Sequence, residues 1–212
     1  MTVNDDEVPA ADKLVVTMWG TYGAGMEEIA ARVAELLGVA LRQQAFSSEE
    51  IQAAQDTGGK DSAIWFLVGA TGHNPRMFDR LLPGVKKEHE RMAARMATEV
   101  LADAAQGGVI QGRTATVVLA DWPKVLHVKL DGPVRDRIAR AASKHNISLK
   151  DAADRQQWED DVRSQMSIDL VDWSPLDIDL FDLVLNTIQL DTETCAQMIV
   201  AAAKVKAARL AG

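Results

Sequence analysis

A single cysteine, Cys195, in 212 residues cannot close an intrachain disulfide, so the chain asks for no oxidising compartment. Its place on an amphipathic helix reads as a core position. The four histidines, His73, His89, His127 and His145, lie scattered without metal-ligand spacing, and no cysteine cluster accompanies them, so no metal centre is expected. No G-x-S-x-G elbow is present. No apolar run approaches the roughly 18 residues of a membrane span. The first residues carry Asp5, Asp6 and Glu7 rather than the charged-then-apolar pattern of a secretory leader, and a cytoplasmic location is the expectation. Positive charge is also scarce: 23 Lys and Arg against 31 Asp and Glu leave a net charge of −8. That balance excludes the basic footprint of a duplex nucleic-acid binder but leaves room for a small phosphorylated ligand held by a few local arginines.

What is present centres on Leu14 to Gly38. Leu14 to Trp19 is a short apolar run that reads as a buried strand. Gly20, Gly23 and Gly25 punctuate a tight loop, and Met26 to Leu37 follows with Ile29, Ala30, Val33, Leu36 and Leu37 at helical spacing. Gly38 stands where a helix-terminating glycine belongs. A strand, a glycine loop and a helix start form the context in which backbone N–H groups meet an anion. Gly20 and Gly25 match the outer glycines of G-x-x-x-x-G-K-[ST], but Met26 replaces the lysine and Glu27 the hydroxyl residue. The local pattern therefore fits either an anion loop or a bare βα turn.

Along the rest of the chain, residues 1–12 are polar and acidic and read as a loose tail. Val39 to Leu41 is a candidate second strand. Ser47 to Glu50 has capping-box spacing, and breaks at Asp56-Thr57-Gly58-Gly59, Thr71 to Pro75 and Pro83-Gly84 set off 43–84 as an inserted helical subdomain. Val85 to Ala105 reads as one long helix with Val85, His89, Met92, Met96, Val100 and Ala104 along one face, followed by a strand at Val109 to Gln111. Val125 to Leu130 is the next strand, Pro133 to Ala142 a helix, and Ser148 to Asp151 a second capping box that opens a polar helix toward Met166. Phe181 to Leu185 gives a last strand and Thr192 to Arg209 a last helix. Strands alternating with helices imply an α/β fold: a parallel sheet covered on both faces, in three layers.

Several stretches, in order, resemble the cytidylate kinase-like proteins of the nucleoside monophosphate kinase fold. Tyr22 to Ala30, YGAGMEEIA, resembles the Y-G-S-G-G-R-E-I-A loop of the branch that lacks the Walker lysine. Val109 to Leu119, VIQGRTATVVL, is similar to the V-I-x-G-R-x-x-x-x-V-L segment, and Asp182 to Thr187, DLVLNT, to the Y-D-L-V-I-N-T strand. Pro133 to Ile138 resembles the P-x-x-x-R-I helix start, and Asp160 to Arg163 the D-x-x-R of the lid. The likeness covers about residues 13–203.

The resemblance implies a single kinase-like domain over 13–212, with a monophosphate-binding insertion at about 43–84 and a lid at about 148–176. It implies phosphoryl transfer from ATP, with Mg2+, to CMP, dCMP or a similar small acceptor, and a homodimer is a further expectation. Donor phosphates would meet Gly20, Thr21, Tyr22, Gly23, Ala24, Gly25, Met26 and Glu27, with Arg137 beside them and Arg140 as a further candidate on the adenine or phosphate side. Arg113 with Thr114 would face the acceptor, and an arginine at a strand exit suits a bidentate grip on phosphate. Arg163 is the lid arginine, Asp160 its orienter, and Arg155 a second choice, although such charges commonly form a solvated helix face. Asn186 and Thr187 fall at the carboxyl edge of the sheet.

The departures from the pattern bear on catalysis. Glu27 stands where these relatives carry an arginine, Thr114 where the better-known kinases carry an aspartate, Val162 beside Arg163 where the lid has paired arginines, and Met166 and Ser167 in the tyrosine region. The second strand leads into Arg42-Gln43 rather than an aspartate. At about 4 Å and an effective dielectric near 20, a carboxylate repels each unit of phosphate charge by roughly 4 kcal/mol. Glu27 either meets magnesium or turns outward toward the helix dipole. A pseudokinase that binds nucleotide without turnover, or a kinase of another small metabolite, are the alternatives.

Overall fold

The computed structural model describes residues 13–43, 83–112 and 114–209 of the chain. The chain order is β1 (Val15–Gly20), α1 (Met26–Leu37), β2 (Leu41–Gln43), α2 (Pro83–Gln106), β3 (Gly108–Gln111), α3 (Ala115–Val118), β4 (Val125–Asp131), α4 (Val134–His145), α5 (Leu149–Val171), β5 (Leu183–Asn186) and α6 (Thr192–Arg209). The five strands form one sheet in the order β2-β3-β1-β4-β5, and every pairing is parallel. The expected α/β class and parallel sheet are what the molecule has.

β1 is buried along its whole length because helices cover both faces of the sheet. Side chains alternate between the two faces. Val16 and Met18 join Val109, Leu126, Val128, Leu130 and Leu185 against α1 and α6, where Cys195 is fully buried. Val15, Ile110 and Val125 face the other way, against Val100 and Ala104 of α2 and Ala115 and Leu119. A smaller cluster joins Met96 of α2 to Val162, Met166 and Leu170 of α5.

Element ends shift by a few residues from the sequence expectations. β2 lies at Leu41–Gln43 rather than Val39–Leu41, because Val39 N–H is still engaged with Ala34 O at the end of α1. β5 begins at Leu183, since Phe181 N–H turns back to Ile178 O and Asp182 N–H to His127 O. α4 runs on to His145 and α5 to Val171, each stopping at a residue in the left-handed region, Asn146 at φ 53 and Asp172 at φ 50. Gly38, at φ 66, ends α1 as expected. At the start of α5, Ser148 Oγ accepts from Asp151 N–H at 3.1 Å, while the return contact runs from the Ser148 hydroxyl to Asp151 Oδ2. That is half a capping box, with aspartate in place of the longer glutamate. The capping box expected at Ser47, and all but the ends of the insertion expected at about 43–84, lie outside the described residues.

Candidate functional site

All five strands point their carboxyl ends to one edge of the sheet, so the segments after β1, β3, β4 and β5 gather there. The loop after β1 is the sharpest of them. Thr21 N–H donates to Leu130 O, and Ala24 N–H closes a turn onto Thr21 O. Gly23 and Gly25 both adopt left-handed backbone, φ 75 and 76, which a side chain disfavours. At Gly23 there is no space either: a Cβ would stand 2.4 Å from Arg137 O. Gly25 is the residue before α1 and has no side chain to cap it. The first helical bond of α1 runs from Ile29 N–H to Gly25 O, so the N–H groups of Met26 to Glu28 precede the helical ladder and suit an anion.

Around the loop, α4 and α5 bring charge. Arg137 is 3% exposed; its Nη1 donates to Tyr22 O at 2.7 Å and Asp160 Oδ2 at 2.9 Å, and its Nε to Gly132 O at 2.9 Å. Arg137 thus ties the loop to the segment after β4 and to α5. Asp160 takes a second bond, from Tyr22 N–H at 2.7 Å, and a third from Gln156 Nε2 at 2.8 Å. Asp160, expected to orient Arg163, forms the longer of two ion pairs with it. Their nearest approach is 3.8 Å, and the close carboxylate for Arg163 is Glu159, one turn back on α5, which also accepts from Arg155 Nε at 2.7 Å. These charges are not a solvated face: Glu159 is 0% and Arg163 5% exposed. Arg155 also lies over the Tyr22 ring, 5.5 Å from its centroid, while His145 stacks on Tyr22 at 6.4 Å. Burial pushes the Tyr22 phenol above its ordinary pKa, against the pull of the Arg155 charge.

Glu27 takes a partner that sequence reasoning missed. Lys144 Nζ, at the end of α4, lies 2.7 Å from Glu27 Oε2 and 2.7 Å from Glu28 Oε1. Burial pulls the Lys144 pKa down, but the hydrogen bonds to both carboxylates outweigh it and the net shift is upward. Burial likewise acts to raise Glu28, and the Lys144 bond with its own N–H reverses this to a net lowering. Arg140 donates to Thr187 Oγ1 and Thr187 O, and Thr187 Oγ1 donates to Ala24 O at 2.7 Å. Thr187 is 1% exposed and fastens the β5 exit to the loop.

A cleft of about 390 Å³ opens beside the loop. Gly20, Thr21, Tyr22, Gly23, Gly25, Met26 and Glu27 line it together with Arg140, Lys144 and Arg163. Ala24 is buried below it, and Arg137 and Asp160 sit behind as supports rather than on its wall. Thr114 is buried just beyond β3, and its carbonyl accepts from Val117 and Val118 N–H. Arg113 lies outside the described residues. Among the described residues no group of three or more His, Cys, Asp or Glu side chains could hold a metal ion. Magnesium that arrives with phosphates needs only one or two carboxylates, and Glu27 and Glu28 are of that kind. No helix among the described residues is long and apolar enough to cross a membrane.

Comparison with known proteins sets this geometry in a family. A uronate isomerase of Corynebacterium glutamicum is 30% identical over 112 residues, which are 53% of this chain and 22% of that protein. The chain thus spans about a fifth of that relative's length. An uncharacterized protein from Eubacterium ventriosum has the same fold, with a TM-score of 0.64 at 16% identity over 91% of this chain and 99% of its own. A shikimate kinase from Acinetobacter baumannii, solved with shikimate, aligns over 91% of this chain and 94% of its own at 19% identity and a TM-score of 0.48. The family model of the cytidylate kinase-like family matches residues 15–189, from the first residue of β1 past the Thr187 that fastens the β5 exit to the loop, and the chain belongs to that family.

Proposed function

We propose that the protein is a nucleoside monophosphate kinase-like phosphotransferase that moves a phosphoryl group from ATP to CMP, dCMP or a similar small acceptor. Family membership supports a nucleotide-kinase-like function in general; the acceptor is the finer part of the proposal. One observation carries it: the doubly left-handed glycine loop opens on a cleft whose wall also holds Arg140, Lys144 and Arg163. Phosphoryl transfer needs phosphates held in line and positive charge over the transferring oxygens, rather than covalent chemistry from the protein. The amides at the start of α1 would take donor phosphates, with Arg163 facing them from α5. Arg155, Glu159 and Asp160 act as positioning residues, because they touch Arg163, Arg137 and the loop rather than the cleft. Glu27 and Glu28 would hold the magnesium that accompanies the nucleotide. Arg113, beside Thr114, would grip the acceptor phosphate.

A coupled assay of ADP release, with magnesium and a panel of nucleoside monophosphates, tests the reading. Turnover with CMP or dCMP is the expected result, and no ADP with any acceptor at high protein concentration overturns it. In calorimetry, Arg113→Ala should lose monophosphate binding; an unchanged affinity removes Arg113 from the site. A second reading is favoured by Met26, in the place of the Walker lysine, and by Glu27, where the resembling branch carries an arginine. It is a nucleotide-binding pseudokinase, and ATP binding without turnover would identify it.

A further inference from the structure

Arg137, Arg140 and Lys144 recur at i, i+3 and i+7 on α4, which places them along one helix face. That face runs beside the glycine loop and the start of α1. Arg137 Nη1 reaches Tyr22 O, a Cβ on Gly25 would meet Arg140 Nη1 at 3.1 Å, and Lys144 Nζ meets Glu27 and Glu28. The three cations are engaged differently. Arg137 is buried and bonded to two main-chain carbonyls, and Arg140 is bonded to Thr187. Lys144 is 38% exposed, and the two carboxylates that hold it are each 46% exposed. Ion pairs between exposed side chains are weak and exchange with stronger partners.

We propose that Lys144 supplies, from α4, the cation that the loop lacks at Met26: Glu27 and Glu28 hold it beside the cleft, and it passes to the phosphates of a bound nucleoside triphosphate. The proposal deepens the phosphate-loop reading and rests on it. A lysine fits the part, since its ammonium is a compact charge on a flexible stem and serves as a phosphate ligand elsewhere. A lysine is charged at neutral pH, and the bonds to both carboxylates push its pKa further up. The same exchange explains how a loop with two glutamates tolerates a polyanion. In the empty cleft the carboxylates are compensated by Lys144, and once the phosphates arrive the accompanying magnesium can take over that role.

The test is calorimetry on the full chain with ATP and with inorganic tripolyphosphate, which carries the charge without a base. Lys144→Met should weaken both by about tenfold or more, and Lys144→Arg should retain most of the affinity. The double variant Glu27→Gln/Glu28→Gln, measured without magnesium, should bind both about threefold or more tightly than the parent. A Lys144→Met protein that binds ATP within about twofold of the parent overturns the proposal, as does a loss seen with ATP but not with tripolyphosphate. A parent protein that binds neither probe overturns the phosphate-loop reading itself. If Lys144→Met fails to fold, the glutamine double variant decides: unchanged or weaker binding refutes the exchange.

Discussion

Gly23 and Gly38 share left-handed backbone, φ 75 and 66, yet their surroundings differ completely. Gly38 has nothing within 4 Å of an added Cβ, whereas at Gly23 that atom would lie 2.4 Å from the Arg137 carbonyl oxygen. Gly38→Ala should therefore cost about 1–2 kcal/mol, the conformational term alone. Gly23→Ala must also push α4 off the loop and should cost at least about 1 kcal/mol more, and under the proposed phosphate-loop function it should also weaken ATP binding. Urea denaturation of the two variants checks the difference, and equal losses would show that the loop yields easily. At this scale the sequence was legible where backbone chemistry is local: the loop glycines and Gly38 announce themselves. Glu27 was not. Its partner Lys144 is 117 residues away, and no spacing rule links a loop to the far end of a later helix.

The elements show the same division more sharply on α5. A helix this rich in charge reads as solvated, yet its buried stripe runs Ala152, Glu159, Val162, Arg163, Met166 and Leu170. Glu159 and Arg163 fall in helical register with Ala152, Met166 and Leu170, and that register was the available signal. It is faint, because a charged residue in an apolar stripe is buried only if a partner turn brings its counter-charge. The family likeness, not periodicity, singled out Asp160 and Arg163, and it left unseen the closer partners, Arg137 for Asp160 and Glu159 for Arg163. Asp160 fastens α5 to the glycine loop through Tyr22 N–H and Arg137. Asp160→Asn removes the charge facing Arg137 and should cost about 1–3 kcal/mol. Amide exchange at Tyr22 should accelerate while the amides of β1 stay protected. Unaltered exchange at Tyr22 would mean that the loop is held without α5.

For the whole molecule, acid sensitivity has a source in the middle of the sheet. His127 on β4 is 4% exposed, shares a hydrogen bond of 2.7 Å with Thr17 Oγ1 of β1, and is pushed down to a pKa of about 4 by burial, against the raising effect of the Asp182 charge. The unfolded chain binds a proton here near pH 6.5 while the folded one does not, so the unfolded state gains as pH falls. The stability tied to this site is complete above about pH 6.5 and declines toward pH 4, by about 3 kcal/mol in all. Chemical denaturation at intervals between pH 7 and 4 should show that decline, and a His127→Asn variant should flatten it. If the variant keeps the full slope, other groups carry the acid response. The strand order was legible only as a class. Alternating elements imply a parallel sheet, but nothing local states that β1 lies between β3 and β4.

That central position has a consequence for the making of the protein. Val15 pairs with Gly108 on one side and Val125 on the other, so β1 leaves the ribosome about a hundred residues before either neighbour exists. At roughly 5–20 residues per second, its unpaired backbone edges wait on the order of ten seconds without a sheet to join. During that interval the strand is a template for any other extended chain, and α1, amphipathic and next in line, is the first segment able to shield it. The glycine loop that later frames the cleft is then also the hinge on which α1 folds back, and its tightness keeps the nascent strand and its cover within reach of each other.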